Sequence, residues 1–119
     1  MTRPPYSPAV DGRPFPGEIV WTWVAFEEGS RAGKDRPVLV LAVDGARITA
    51  LPLRTRTDQQ RRKQVWMDLG SGDWDRSGRS SEVQLNRVLT VSVYDVRRQG
   101  AELDEDLFAE VVRASRRYR

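Results

Sequence analysis

Two apolar runs near the start of the chain constrain its fold most. Ile19 to Phe26 is rich in β-branched and aromatic residues, and Pro37 to Val43 is almost continuously apolar. Each is the length and composition of a strand, the second of a buried one. Between them, Glu27 to Asp35 is a charged loop with Gly29 and Gly33. Asp44-Gly45 is a strong hairpin-turn signal, and Arg47 to Leu53 returns as a third strand. Pro52 has no N–H to give a ladder, so this strand's end is expected at an edge or a bulge. Arg36 stands where the second strand is expected to begin. Its planar, always-charged fork matches a phosphate, and the root of a rigid strand positions it better than a free loop would.

The remainder continues the pattern. Arg54 to Gln64 contains Arg54, Arg56, Arg61, Arg62 and Lys63 with almost nothing apolar, and reads as a long exposed loop. Val65 to Leu69 is a short strand, Gly70 to Ser80 a glycine-rich connection, and Glu82–Leu85 and Arg87–Val93 are further strands. Tyr94 to Gln99 reads as a helical turn stopped by Gly100. Asp104 can cap a final helix whose Leu107, Phe108, Val111 and Val112 form one apolar stripe. Its last residues include Arg113, Arg116, Arg117 and Arg119, which suits the negative C-terminal pole. Five or six strands and one terminal helix predict a mainly β protein, a small, curled β-barrel with the helix packed on it. Residues 1–16, with Pro4, Pro5, Pro8, Pro14 and Pro16, read as a flexible arm ahead of one domain over 17–119.

Composition narrows the chemistry. The chain has no cysteine and no histidine. Disulfides, Cys- or His-based metal sites, thiol nucleophiles and Ser-His-Asp triads are therefore excluded. No cofactor or metal is expected. Catalysis would have to use Arg, Lys, Asp, Glu, Tyr, Ser or Thr. The net charge is +3 and the sequence pI about 9.8, which suits an anionic partner. No apolar run approaches the roughly 20 residues of a membrane span, and no secretory h-region is seen, so a cytoplasmic location is expected.

Several segments, taken in order, resemble the MazF/PemK family of toxin endoribonucleases. Gly17-Glu18-Ile19-Val20-Trp21 is similar to that family's opening strand, and Arg36-Pro37-Val38-Leu39-Val40-Leu41 to its arginine-proline strand. Ala50-Leu51-Pro52-Leu53-Arg54-Thr55 resembles its third strand. Ser81-Glu82-Val83-Gln84-Leu85-Asn86-Arg87-Val88 resembles the approach to its penultimate strand, and Gly100-Ala101-Glu102-Leu103 its C-terminal end. The resemblance implies an SH3-like barrel that forms a homodimer. It implies a type II toxin that cuts single-stranded RNA (messenger, transfer or ribosomal) without metal and is blocked by a cognate antitoxin. The 2′-hydroxyl would attack the adjacent phosphate, leaving a cyclic phosphate and a 5′-hydroxyl. RNA then supplies its own nucleophile, which fits a chain lacking histidine and cysteine.

The same resemblance nominates residues. Arg36 would stabilise the phosphorane oxyanion; the alternative is that it pairs with Asp35 or Glu27. Thr55 would supply a hydroxyl to the scissile phosphate. Family members commonly carry two small hydroxyl residues at that strand end, whereas here Arg54 fills the first position. Thr55 takes the role in a shifted register, Arg54 adds a second phosphate contact, or catalysis is weakened. Arg31 and Lys34 in the first loop, and Arg54, Arg56, Arg61, Arg62 and Lys63 in the later one, would contact the RNA backbone. Trp74 would stack a base or cover the core. Two other readings share the fold: an RNA- or antitoxin-binding module without turnover, and a toxin directed at a protein target, as CcdB is.

Overall fold

The computed structural model describes residues 13–56 and 65–119. The strands are β1 (Glu18–Ala25), β2 (Gly33–Asp44), β3 (Arg47–Thr55), β4 (Trp66–Gly70), β5 (Ser81–Gln84), β6 (Leu89–Ser92) and β7 (Arg98–Glu102). Helix α1 (Glu105–Ser115) follows. All pairings are antiparallel, in the order β4-β5-β3-β2-β1-β7, with β6 on β3. β3 is the hinge of this curled sheet. Its first half pairs with β6 through Arg47–Ala50 and its last residues pair with β5 through Leu53–Thr55.

Strand alternation sorts the side chains onto two faces. Ile19, Leu39, Leu51, Leu53 and Val83 face one core, which Leu103, Phe108 and Val111 of the C-terminal segment close. Val20, Val24, Val38, Val40, Ile48 and Ala50 face the other, covered by Leu89, Val91, Val93 and Val96. The α1 stripe divides accordingly: Phe108 and Val111 are buried, while Leu107 and Val112 lie at its margin. Asp104 caps the helix, its carboxylate accepting from the Leu107 N–H at 3.1 Å.

Several expectations shift. β2 starts at Gly33 rather than at Pro37, so Lys34, Asp35 and Arg36 are strand residues, paired with Val24, Trp23 and Thr22. Gly33 permits this: a Cβ there would collide with the Trp23 ring and the Val24 carbonyl. β3 runs on to Thr55, so Pro52 is internal. Pro52 pairs with Val38 on one flank. On the other flank it falls between Ala50, the last partner of β6, and Leu53, the first partner of β5, where no ladder donor is needed. The helical turn after β6 is confined to Val93–Asp95, and Arg98–Glu102 is a seventh strand, laid on the outer edge of β1. Of the expected arm, residues 13–16 are tied down: Arg13 Nη2 donates to the Gly45 carbonyl at 2.8 Å, and the Glu18 N–H to the Phe15 carbonyl at 3.0 Å. Residues 1–12 lie outside the described residues.

Candidate active site

The second face of the sheet changes character along its strands. In β2 it reads Val40, Val38, then Arg36; in β3 it reads Ile48, Ala50, Pro52, then Arg54. Val38 pairs with Pro52 at the end of that ladder, and Arg36 and Arg54 each lie two residues beyond it on the same face of their strands, close enough for the Arg54 charge to act on Arg36. Thr22 flanks Arg36 on β1, and Glu82 flanks Arg54 on β5. Where the apolar cover of β6 stops, the row beneath becomes cationic.

Arg87, on the connection from β5 to β6, completes the cluster. Its Nη2 donates to the Ala25 carbonyl at 2.7 Å and its Nη1 to the Phe26 carbonyl at 3.2 Å, fixing the end of β1. Arg36 is half-buried. Its pKa is lowered first by burial and then by the positive charges of Arg87 and Arg54. Desolvation and like charge both disfavour a cation, and a bound anion relieves both. Among the described residues no carboxylate lies within ion-pair distance of Arg36. Asp35, the alternative partner, is exposed on the other side of β2 and pairs with Arg97 at 3.3 Å; Glu27 is exposed in the β1–β2 loop.

Arg54 is held differently. Its Nε donates to Glu82 Oε1 at 2.8 Å, and its guanidinium carbon lies 3.6 Å from the Trp66 ring centroid. Glu82 is 7% exposed. The Nη2 of Arg54 is buried and without a hydrogen-bond partner among the described residues. A groove of about 850 Å³ leads away from Arg87 along Val24, Leu89 and Val91 towards Tyr94 and Asp95.

The nominated residues divide as follows. Arg36 and Arg54 are brought together. Lys34 is exposed, two residues before Arg36 on the same side of β2, and Arg31 is exposed in the preceding loop. Thr55 is not brought to Arg36. It pairs with Ser81, which is buried on the opposite face beneath Trp74, so alternation turns Thr55 away from the arginine row. Arg56 is exposed and pairs with Asp68 at 3.4 Å. Arg61, Arg62 and Lys63 lie outside the described residues. Trp74 as a base-stacking residue is corrected. It is 5% exposed, in the first core, with its Nε1 donating to Ser81 Oγ at 2.9 Å and its carbonyl accepting from Trp21 Nε1 at 3.0 Å. Gly72 lets the loop fold over it, because any Cβ there would strike the Trp74 ring.

Arg87, Glu82 and Trp66 were not legible as site residues. Arg87 binds main-chain carbonyls 61 and 62 positions away, which no side-chain pattern reports. Glu82 and Gln84 alternate with Val83 and Leu85, which reads as a solvent-facing row although both are buried.

With this geometry in view, the family of PemK-like, MazF-like toxins of type II toxin-antitoxin systems matches residues 15–118. The chain belongs to that family. Among solved structures, an endoribonuclease in complex with its cognate antitoxin from a mycobacterial species superposes with a TM-score of 0.62 at 16% identity, covering 88% of this chain and 93% of that one. The Mycobacterium tuberculosis toxin MazF-mt6 gives 0.50 at 20% identity, covering 84% and 98%. At such identities these PemK/MazF-like neighbours establish the fold, a curled antiparallel half-barrel with one C-terminal helix. No curated protein sequence matches significantly. No helix among the described residues is long and apolar enough to cross a membrane.

Proposed function

We propose that this PemK/MazF-like toxin is an endoribonuclease that cleaves single-stranded RNA at the Arg36 site. The observation that carries the reading is Arg36 itself. It is a half-buried guanidinium without a carboxylate partner among the described residues, crowded by two further arginines. Such a group is short of negative charge, and a phosphodiester supplies it. The 2′-hydroxyl oxygen bonds to phosphorus, the bond from phosphorus to the 5′-oxygen breaks, and the 2′-proton leaves as the 5′-oxygen gains one. The products are a 2′,3′-cyclic phosphate and a 5′-hydroxyl. Arg36 stabilises the charge that builds on the non-bridging oxygens in the phosphorane. Arg87 and Arg54 raise the local positive potential, and the exposed Lys34 and Arg31 would contact the RNA backbone. A cognate antitoxin would act by covering this cationic row, and a homodimer is proposed on the family resemblance.

Incubating the protein with a long, structure-poor RNA in EDTA tests the reading. Discrete fragments carrying 5′-hydroxyl and cyclic-phosphate ends are expected. Intact RNA across many sequences would sink it. The Arg54–Glu82–Trp66 lock favours one competing reading, an RNA-binding module with little turnover, because it fills the family's hydroxyl position with an engaged cation. RNA that is bound but uncut would establish that alternative.

A further inference from the structure

We propose that Phe26 is the stacking platform for an unpaired base next to the phosphate held by Arg36, an inference that rests on the ribonuclease reading. Phe26 is 52% exposed, yet its backbone is fixed on both sides. Its N–H donates to the Ala32 carbonyl at 2.9 Å, its carbonyl accepts from Arg87, and the loop is closed by Ser30 N–H donating to the Glu27 carbonyl at 3.0 Å. An exposed ring on a pinned backbone is presented rather than left over, and one of the groups fixing it, Arg87, belongs to the cationic cluster itself. The ring centroid lies 6.0 Å from the Arg36 guanidinium carbon. That is the outer limit of a cation–π contact, so Arg36 overlies the half-exposed ring only loosely.

Two other aromatic residues near the row are committed elsewhere. Trp66 has one face covered by Arg54 at 3.6 Å, and Trp74 is buried. Stacking on an aromatic ring tolerates any base, because every base has a π-face. Phe26 therefore adds affinity for single-stranded RNA and fixes the nucleotide beside the scissile phosphate, without itself reading a sequence. Duplex RNA, whose bases are already stacked, gains nothing from it.

The test uses the full chain and oligoribonucleotides 2′-O-methylated throughout, which lack the nucleophile, with 2-aminopurine moved along the sequence. In the wild type one position should show quenching of 2-aminopurine fluorescence. Phe26→Ala should lose that quench and weaken binding about tenfold, while Phe26→Trp should keep both. A Phe26→Ala protein that binds and quenches as the wild type does would overturn this inference while leaving the ribonuclease reading intact. A wild type that neither binds nor cleaves single-stranded RNA would overturn both.

Discussion

Arg36 and Arg54 stand on neighbouring strands of the same face of the same sheet, and their surroundings differ in every respect that matters. Arg54 has a buried carboxylate on its Nε and an indole ring against its plane. Arg36 has neither, only a distant exposed Phe26 ring, whose centroid is 6.0 Å away, and two neighbouring cations. Glu82 already offsets the Arg54 charge through its Nε, although the buried Nη2 is unpartnered among the described residues, whereas a guanidinium crowded by like charge gains from any anion that arrives. Both were nominated as phosphate contacts, and only the partners distinguish the group proposed to act on the phosphate from the anchored one.

Four changes would break or sharpen this contrast. The largest effect should be on catalysis at Arg36. Arg36→Ala should lower RNA cleavage by about 10²–10³, while circular dichroism and Tm stay close to wild type because no ion pair among the described residues is lost. At Arg54 the effect should move from rate to stability. Glu82→Ala leaves a half-buried guanidinium without its acceptor, and thermal denaturation should show a loss of about 1–3 kcal/mol. If Glu82→Ala left stability untouched, the lock would be mislocated.

Smaller effects follow elsewhere. Thr55→Val should alter the cleavage rate by less than about threefold, because its side chain turns to the opposite face; a loss comparable with that of Arg36→Ala would restore Thr55 to the site. Away from the site, Glu18 has its pKa raised by burial and by Glu102, against a lowering hydrogen bond from the Phe15 N–H. Its folded-state pKa lies above the unfolded value, so the cost of ionising it in the fold is absent at low pH and appears as pH rises through that range. Glu18→Gln should therefore raise Tm at pH 7 and leave it unchanged well below the ordinary glutamate value of 4.5. A gain that persists undiminished at low pH would contradict that origin.

Much of the scaffold was legible because its signals are local. The apolar runs of β1, β2 and β3, the Asp44-Gly45 turn and the Asp104-capped amphipathic helix each state their structure within a few residues. β7 was not, because Arg98–Glu102 has no apolar alternation and becomes a strand through backbone pairing with β1. The site was half legible. Arg36 is announced by its place before an apolar strand. The separation of Arg54 from Arg36 is not, since it depends on Glu82 being 28 positions away in sequence yet adjacent in register. Trp74 was ambiguous by composition, and the glycine beneath its ring decided for the core.

The measurement that tests the account most directly is the single-turnover cleavage rate of one structure-poor RNA in EDTA by wild type and by Arg36→Ala, with the fold of each checked by circular dichroism. The account predicts fragments with 5′-hydroxyl ends from the wild type and a rate at least about 10²-fold lower from a folded variant. Wild-type cleavage that persists within a few-fold in Arg36→Ala would contradict it and move the chemistry to another part of the molecule.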